Sequence, residues 1–478
     1  MKLNSHSALF RLLFLTSLFL TSSIAAFAYA SDSSIAPGYK FRSGGWTYVH
    51  LEGSPEQIGF QHGSLLKDEI EDMVNVIQVE TGHDTKRDWA FYREAAKSQL
   101  WPHIEEEYRE ELEGIAKGVQ AKGSKLDLWD IVALNGGIEL PEYYVPWLNK
   151  REKAANNHPA ILPHGRCSAF IATGSYTKGG KIVIAHNNWS SYAEGARWTV
   201  MFDIHPAHGH RMLMDGAPGV ITSQDDFGVN DAGLMITETT ITQFEGWDPE
   251  GKPEFVRSRK AMQYAGSIDE YVAILKDGNN GGYANDWLIG DRKTGEIAYL
   301  ELGLKNTPLW RTKDGYFVSS NFARDPELLR TETPEFDPKN TQSSPNARRV
   351  SAEKRIEAAR GRIDVAVAEQ FLAAHEDSYT GTVNADSRSL CGHIDRDPRG
   401  VPEWGDGPYY PDGAVTGKVT DSDLTAKFGL IAHAGHPCGE DFVAAPFLEA
   451  HPEYAWLKPI LKDMPSGPWT EFHAGEKK

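Results

Sequence analysis

Hydrophobic residues in the first third of the chain recur at helical spacing. A strand-like segment at residues 46–51 precedes a helix start at Ser54, where Pro55 suits the first turn and Gln57 completes a capping box. The apolar positions that follow lie three to four residues apart, which predicts an amphipathic helix. The same spacing predicts further helices at residues 89–97, 105–122 and 126–135.

From Cys167 onward the pattern changes to alternation, which predicts β-strands. The strands predicted in this way are at residues 167–172, 181–185, 198–204, 210–214, 234–240, 287–290, 297–302 and 316–321. Helical spacing returns at residues 255–276, 351–360 and 364–375. Because helices and strands come in blocks, the chain is predicted to be an α+β protein with stacked layers rather than a parallel βαβ sheet.

Gly179 and Gly180 are predicted to join the first two strands as a hairpin. Antiparallel pairing brings the far ends of two such strands together. Cys167, at the start of the first strand, is therefore expected near His186 and Asn187, which follow the second. A thiol beside histidine and amide side chains is suited to covalent catalysis.

The segment before Cys167 favours a special role for its thiol. Residues 149–165 are polar, contain two prolines and have no apolar period, which is typical of an exposed linker. If the bond between Arg166 and Cys167 were cut, the new α-amino group would have an ordinary pKa of about 7.7–8.0. It could then act as the base for the thiol of the same residue. The alternative is a small, buried and inert cysteine.

Composition disfavours two classes of partner. The chain has 478 residues, of which 40% are hydrophobic, and a net charge of −18 from 67 acidic and 49 basic residues. A chain this acidic is not expected to bind nucleic acid, and docking on anionic lipid is disfavoured.

Residues 1–30 have the features of a secretory signal peptide. Lys2 and Arg11 precede an apolar run at residues 12–28, and a small-x-small pattern ends at Ala30. No later run is long and apolar enough to span a bilayer. The mature protein is expected to be secreted or periplasmic after cleavage near Ala30, without a stable membrane anchor.

Three cysteines in an exported protein leave one over. Cys391 and Cys438 lie in similar glycine and histidine contexts and are predicted to form a disulfide in an oxidising compartment, although other pairings are open. No histidine and cysteine cluster has zinc spacing, and the sequence has neither a glycine-rich phosphate loop nor a Gly-x-Ser-x-Gly elbow. The sequence therefore predicts neither a metal nor a cofactor, and it disfavours a serine hydrolase.

Several short motifs resemble those of two related families. Residues 186–192 (HNNWSSY), 218–227 (PGVITSQDDF) and 233–241 (GLMITETTI) resemble the phospholipase B-like family. The motifs that are more similar to the penicillin acyltransferase-type (C45) peptidase family are at residues 53–63 (GSPEQIGFQHG), 113–118 (EGIAKG) and 134–135 (LN). Both are families of N-terminal nucleophile (Ntn) hydrolases.

The resemblance implies a fold and a processing step. The fold would be a four-layer αββα sandwich, in which two antiparallel sheets pack face to face between helical layers. The chain would cut itself between Arg166 and Cys167. Residues 31–166 would form a small helical fragment, and residues 167–478 would form the core with a C-terminal tail wrapped around it. The two fragments would stay associated, and no cofactor is implied.

The resemblance also implies roles for side chains around Cys167. Its thiolate would attack an amide or ester carbonyl, pass through a tetrahedral oxyanion and an acyl thioester, and be released by water. His186 and Asn187 match the polar pair that follows the second strand. Thr239 or Thr240 stands where relatives have an oxyanion-hole asparagine, and strand alternation allows only one of the two to face the site.

Two further positions follow from the resemblance. Asn321 is similar to the second oxyanion-hole asparagine. Several relatives have a carboxylate where this chain has Trp189, so another acid is needed to orient the nucleophile. Asp226 or its neighbour Asp225 could supply it, but the pair could also form a plain turn or an ion pair with an arginine such as Arg197.

Together these inferences predict an exported cysteine Ntn hydrolase that acts on a small-molecule acyl amide or ester. An acyltransferase, in which an amine or thiol replaces water, is an alternative with the same chemistry. A non-catalytic binding protein on the same fold is a third. The three are distinguished by product analysis and by the reactivity of the Cys167 thiol.

Overall fold

A computed structural model describes residues 38–152, 167–224 and 227–477. Within these residues the α-helices are α1 (Pro55–Leu65), α2 (Lys67–Thr85), α3 (Trp89–Ala95), α4 (Glu106–Ala121), α5 (Leu128–Asn135), α6 (Val145–Arg151), α7 (Tyr192–Gly195), α8 (Glu254–Tyr264), α9 (Ile268–Lys276), α10 (Pro326–Thr331), α11 (Ser344–Ala358), α12 (Val365–Leu372), α13 (Ser422–Ala426) and α14 (Ala444–Ala450). Short π-helical turns lie at Ala96–Leu100 and Leu140–Tyr144, and 3₁₀ turns at Trp101–His103, Ile394–Arg396 and Pro452–Leu457.

The strands of the described residues are β1 (Tyr39–Ser43), β2 (Trp46–Gly53), β3 (Cys167–Gly174), β4 (Gly180–Ser191), β5 (Val200–Pro206), β6 (Met212–Gly216), β7 (Gly228–Asn230), β8 (Leu234–Thr240), β9 (Asn285–Asp291), β10 (Glu296–Leu302), β11 (Leu309–Thr312), β12 (Gly315–Ser319), β13 (Glu376–Asp377), β14 (Thr382–Val383), β15 (Asp412–Asp421), β16 (Gly429–Ala434) and β17 (Thr470–His473). The mixture of helices and largely antiparallel sheets confirms the predicted α+β class.

The strands form two large sheets and one small one. The larger sheet has nine strands in the order β1-β2-β5-β6-β7-β8-β9-β10-β11, and the second has six in the order β12-β3-β4-β15-β16-β17. Strands β13 and β14 form a separate pair. Among the described strands, neighbours are antiparallel except β2 and β5, which run parallel. The C-terminal region therefore contributes three of the six strands of the second sheet as well as the loops around it.

Hydrophobic cores lie between the two large sheets and on the outer side of each. Residues of both sheets form one shared core, to which β3 contributes Ala169 and Ile171, and β8 contributes Met235. The other side of the nine-stranded sheet packs on the helices near the N-terminus and on α8 and α9. The other side of the six-stranded sheet packs on α11 and α12, for example where Phe170 meets Phe371.

Sequence predictions of the local elements agree with the structure in type but not always in length. The capping box is confirmed, because Gln57 N donates to Ser54 Oγ and Gln57 Oε1 accepts from Ser54 N. The hairpin at Gly179 and Gly180 is confirmed too, and both glycines have a positive φ, at 77° and 73°. The helices predicted between residues 255 and 276 are confirmed as α8 and α9. The chain breaks after Tyr264, and Ser267 caps a second helix.

The first helix is tied to the loop between β6 and β7. His62 Nε2 accepts a hydrogen bond from Gly219 N at 2.9 Å. Asn135 Nδ2 donates to Gly219 O, and its Oδ1 accepts from Ile221 N, both at 2.9 Å. Burial lowers the pKa of His62 to about 3, so its ring stays neutral and can accept. The motifs at residues 53–63, 134–135 and 218–227 are thus joined by hydrogen bonds.

None of the helices in the described residues is both long and apolar enough to cross a membrane.

Candidate active site

Cys167 is the first residue of β3 and lies on the face that is turned toward the other sheet. Strand alternation puts Cys167, Ala169 and Ile171 on one face, and the latter two lie in the core shared by the sheets. The Cys167 residue is 1% exposed and forms no disulfide. Its neighbour across the β3–β4 ladder is Asn188. Residues 153–166, and with them Arg166 at the predicted cleavage site, lie outside the described residues.

Two side chains from distant parts of the chain hold the backbone of Cys167. Its N donates to Asn321 Oδ1 at 3.2 Å, and its carbonyl oxygen accepts a hydrogen bond from Arg348 Nη1. Arg348 also donates to Asn321 Oδ1 at 2.8 Å and to Ser168 Oγ at 3.1 Å. The start of β3 is therefore fixed at both its N–H and its carbonyl.

Asn321 is itself fixed by β8. It follows the end of β12 and has a φ of 71°, in the left-handed region that asparagine tolerates better than most residues. Its N donates to Thr239 Oγ1 at 3.3 Å, and its Nδ2 donates to Thr240 O at 2.9 Å. The orientation of the amide is thus determined, with Oδ1 directed at Cys167.

The structure distinguishes the two threonines that the sequence left open. Thr239 has the strand parity of Met235, which lies in the core shared by the sheets, and its hydroxyl is 2.6 Å from Ser319 Oγ. Thr240 points the other way, and its hydroxyl donates to Tyr283 OH at 2.8 Å. Thr239 is therefore the threonine on the Cys167 face, where it supports Asn321.

A chain of hydrogen bonds continues from Thr239 to a buried acid. Ser319 Oγ donates to Asp286 Oδ2 at 2.9 Å, which leaves Thr239 as the donor to Ser319. Burial and the neighbouring Glu301 raise the pKa of Asp286 well above its usual range. The surroundings of Asp286 therefore favour its neutral form at the end of this network.

Strand β4 is longer than predicted, and this changes which of its polar side chains meet the thiol. His186 and Asn188 share the face of Ile184, which lies in the core between the sheets, whereas Asn187 lies on the opposite face. Asn187 Nδ2 donates to Leu372 O at 2.7 Å and to a second backbone carbonyl at 3.0 Å. The structure thus does not bring Asn187 to Cys167, and the amide on the Cys167 side belongs to Asn188.

Asn188 is a side chain that the sequence did not single out. It is 2% exposed, and its Nδ2 has no hydrogen-bond partner within the described residues. It lies directly across from Cys167 in the ladder, where paired Cβ atoms are about 4.5–5.5 Å apart. A buried amide N–H without a partner is costly, so a donor at this place is available for a bound carbonyl oxygen. Of the predicted pair His186 and Asn187, only His186 lies on the face of Cys167.

Arg348 is a second residue that sequence analysis missed. It is fully buried, stacks on Trp189 at 4.3 Å from guanidinium carbon to ring centroid, and donates to Ser344 Oγ at 3.0 Å. Burial lowers its pKa to about 9, so the guanidinium remains charged at neutral pH. Trp189 thus supports the arginine, while its Nε1 donates to Leu390 O at 3.3 Å. Nothing in the local sequence around Arg348 signals this contact across 181 residues.

A buried ion pair lies on the facing strands of the two sheets. Lys418 Nζ is 2.9 Å from Asp215 Oδ2, and both side chains are fully buried. Lys418 is in register with His186 on β4, and Ser223 Oγ donates to Asp215 Oδ1 at 2.9 Å. The predicted acid Asp226 lies outside the described residues, and Asp215, like Asp286, is a buried acid on this face.

The predicted disulfide is wrong. All three cysteines are described, and none is bonded to another. Cys391 and Cys438 instead lie close to the His393 ring, with their sulfur atoms 3.7 and 3.5 Å from its Nε2. Similar sequence contexts predicted the proximity of the two residues but not a bond between them.

The chain was compared with families and with individual proteins. The family model described as Phospholipase B matches residues 68–302, a range that contains Cys167, Asn188 and Thr239 but not Asn321 or Arg348. The chain belongs to the phospholipase B-like family. Phospholipase B-like motifs in the sequence thus gave the right assignment, while the likeness to the C45 peptidases stays a prediction.

Individual relatives match over part of their length. An uncharacterized protein of Archaeoglobus fulgidus is 26% identical over 273 residues, which cover 54% of this chain and 43% of that protein. A mouse protein named putative phospholipase B-like 2 is 30% identical over 179 residues, covering 34% of this chain and 28% of its own length. Phospholipase B-like protein C of Dictyostelium discoideum is 25% identical, over 38% and 35% of the two chains. The matched region therefore covers less than half of the length of each of these three proteins.

Proposed function

We propose that this protein is a cysteine Ntn hydrolase that cuts itself before Cys167 and then hydrolyses an acyl amide or ester. Membership of the phospholipase B-like family suggests a hydrolase, and the names of the relatives point to acyl esters of phospholipids. The observation on which the proposal mainly depends is the position of Cys167. Cys167 begins β3, and its side chain faces the other sheet. Its N–H donates to Asn321, and the Asn188 side chain lies across from it on β4.

The fold proposed with this function is the four-layer αββα sandwich of Ntn hydrolases. The shared core between the two sheets supports it, as do the helices that pack on the far side of each sheet. In such a fold the nucleophile stands at the end of an inner strand. Cys167 at the start of β3 fits that position.

The proposed processing step uses the thiol against the preceding peptide bond. The sulfur attacks the carbonyl carbon of Arg166, the C–N bond to Cys167 breaks, and the nitrogen takes the thiol proton. Water then hydrolyses the resulting thioester, which releases the Arg166 carboxylate and restores the thiol. The products are a new α-amino group on Cys167 and two fragments that remain associated.

In the mature enzyme the new amine is the proposed base. The nitrogen of Cys167 already donates to Asn321 Oδ1, so this contact can orient the free amine toward its own thiol. With an ordinary pKa of about 7.7–8.0, the amine can take the thiol proton near neutral pH. Asn321 acts here as a positioning residue, and Arg348 holds Asn321 in turn.

The catalytic cycle then follows from the groups on this face. The thiolate attacks the acyl carbonyl carbon, and the developing oxyanion is stabilised by Asn188 Nδ2, whose N–H has no partner within the described residues. The leaving amine or alcohol takes the proton held by the Cys167 amine. Water cleaves the acyl thioester and releases the acid. His186, two residues from Asn188 on the same face, is proposed to assist proton transfer.

The substrate is proposed to be a small acyl amide or ester rather than a polymer. Apolar side chains dominate the core between the sheets beside Cys167, which suits an acyl chain. Export to a periplasm or beyond, after removal of residues 1–30, remains part of the proposal.

Mass spectrometry of the purified protein tests the cleavage. We expect two fragments, one of which begins at Cys167, and a single uncut chain for Cys167→Ala. Ser175→Ala, at the other end of the same hairpin, is the matched control and should be cut like the wild type. A wild-type chain that stays intact after prolonged and acidic incubation would contradict self-cleavage.

The fragment that begins at Cys167 also shows which reaction the protein catalyses. Incubation with a mixed set of N-acyl amides and phospholipid esters is expected to leave an acyl adduct on the fragment that begins at Cys167. Added amine acceptors distinguish hydrolysis from acyl transfer, because a transferase forms the new amide. If the cut protein forms no adduct and releases no acid from any member of the set, the proposed hydrolase activity is wrong.

A further inference from the structure

Four potential metal ligands meet on the outer side of the six-stranded sheet. His375 follows α12, Cys391 and His393 lie in the loop before β15, and Cys438 follows β16. One ligand atom from each residue can be chosen so that all four lie within 4.8 Å of one another. Cys391 and His393 are buried, and the other two are partly buried. These side chains take no part in the proposed hydrolysis.

Two distances between ligand atoms in this cluster match those of a tetrahedral site. His393 Nε2 lies 3.7 Å from Cys391 Sγ and 3.5 Å from Cys438 Sγ. Zinc bonds of about 2.3 Å to sulfur and 2.0–2.1 Å to nitrogen, at tetrahedral angles, put such ligand atoms about 3.6 Å apart. The His393 nitrogen and the two sulfur atoms are thus already spaced as they would be around one ion.

An acidic side chain lies behind one of the ligands, at a distance too long for a direct hydrogen bond. Asp395 Oδ1 lies 3.9 Å from His393 Nδ1, on the side of the ring away from the sulfur atoms, and Tyr192 OH donates to Asp395 Oδ1 at 2.6 Å. A carboxylate behind a histidine is the usual outer partner of a metal-binding imidazole. His375 Nε2 is buried and has no hydrogen-bond partner of ordinary geometry among the described residues. An orphaned ring nitrogen next to two sulfur atoms is the kind of group that a metal ion would satisfy.

We propose that His375, Cys391, His393 and Cys438 bind one structural divalent ion of the zinc class. Two thiolates and two imidazoles suit zinc, and four protein ligands leave no open position for a substrate or a reactive water. Binding releases the two thiol protons to solvent, so each thiolate forms a bond to the ion without any oxidation or reduction.

The ion would connect segments that support the catalytic face from behind. Cys391 N donates to Ala374 O at 3.0 Å, next to His375. Leu390, the residue before Cys391, accepts hydrogen bonds at its carbonyl from Asn187 and Trp189. Through Trp189, which lies under Arg348, the site is joined to the groups that hold Cys167. The chain spacing of the four ligands does not reveal the site, because they come from three separate segments.

Metal analysis of the full chain, purified without chelators and then dialysed with zinc chloride, tests the proposal. We expect one zinc per chain, and exchange for Co²⁺ should produce a thiolate-to-metal charge-transfer band. Cys438→Ser and His375→Gln should each lose the ion and the band. His205→Gln, which removes an exposed histidine, is the control and should keep both. Wild-type protein that takes up neither metal would overturn the proposal.

Thiol counting separates a metal site from the alternative occupant, a disulfide. After denaturation in chelator without reductant, a metal site leaves three reactive thiols, whereas a Cys391–Cys438 disulfide leaves one and a mass lower by two hydrogens. Three thiols together with bound zinc support the site, and one thiol overturns it. Because Cys167→Ala should lose one thiol but no zinc, the metal test is independent of whether the hydrolase proposal is right.

Discussion

The backbone nitrogen of Cys167 donates a hydrogen bond to Oδ1 of Asn321, a residue 154 positions further along the chain. This contact joins the start of β3 to the turn that follows β12, the neighbouring strand in the sheet. It gives the nitrogen of Cys167 a fixed acceptor, whether that nitrogen belongs to a peptide bond or to a free amine.

Replacing Asn321 tests the contact and the backbone conformation separately. Asn321→Gly and Asn321→Ala both remove the amide, so we expect the rate of cleavage and of substrate turnover to fall about a hundredfold in each. Because φ is 71° at this position, the alanine variant should also lose about 1–2 kcal/mol in the free energy of unfolding relative to glycine. Urea unfolding and fragment yield measure the two effects. Equal free energies of unfolding for the two variants would contradict backbone strain at Asn321. Normal cleavage in both variants would contradict its positioning role.

Asn187 and Asn188 provide a matched pair on opposite faces of one strand. Asn188→Ala should lower kcat by about a hundred- to a thousandfold through loss of an oxyanion donor, with little change in stability. Asn187→Ala should instead lower the free energy of unfolding by about 1–3 kcal/mol, because Leu372 O loses its side-chain donor and Leu390 O keeps only Trp189. Steady-state kinetics and urea unfolding give the comparison. If Asn187→Ala lowers kcat and Asn188→Ala does not, the assignment of Asn188 as the oxyanion donor is wrong.

Arg348→Lys keeps the positive charge but not the planar set of donors. The guanidinium donates to Cys167, Ser168 and Asn321, and a lysine ammonium cannot reproduce this geometry. We expect a loss of at least about 2 kcal/mol in the free energy of unfolding and a large loss of cleavage. Arg360→Lys, on the exposed surface near the hairpin, serves as the control. A variant as stable and as well cut as the wild type would show that charge alone suffices.

His62 should make stability depend on acid pH. Its pKa is lowered by burial to about 3 in the folded protein, against an ordinary value of 6.5. Between these values the unfolded chain binds a proton that the folded chain does not, so the free energy of unfolding falls as pH falls, by up to about 1.4 kcal/mol per pH unit. His62→Gln should flatten this slope by one proton between pH 6 and about 4. His205→Gln should leave it unchanged, and an equal slope in the two variants would refute the assignment.

The buried pair of Lys418 and Asp215 is suited to a double-mutant cycle. Lys418→Met leaves a carboxylate without its buried cation, and we expect a loss of about 3–5 kcal/mol. Asp215→Leu should cost a similar amount, while the double variant should cost much less than the sum. Urea unfolding of the four proteins gives the coupling energy. Additive losses would mean that the two groups do not stabilise each other.

Local chemistry made part of this structure predictable. The capping box at Ser54, the hairpin at Gly179 and the alternation along β8 depend on neighbours in sequence, and the structure agrees with all three. The error at Asn187 has a physical cause. The prediction ended this strand before residue 186 and therefore placed His186 and Asn187 together beyond its end. Strand β4 continues to Ser191, so the two side chains point to opposite faces of the sheet.

The remaining residues of the site were beyond sequence reasoning because they come from far along the chain. Arg348 lies within a helix whose local pattern shows only an ordinary amphipathic segment, and Lys418 pairs with an acid of the other sheet. Cys391 and Cys438 were correctly placed near each other, but the histidines beside their sulfur atoms could not be foreseen from spacing. Long-range packing decides all of these contacts.

Strand β2, from the segment before Cys167, lies inside the nine-stranded sheet between β1 and β5. If the chain is cut before Cys167 as proposed, this sheet is built from two separate polypeptides. Reassembly after denaturation would then require a bimolecular encounter, with a rate that depends on protein concentration, whereas the uncut precursor folds as a single molecule. Heat would inactivate the mature form irreversibly in dilute solution, and its lifetime would be governed by the unfolding rate rather than by an equilibrium.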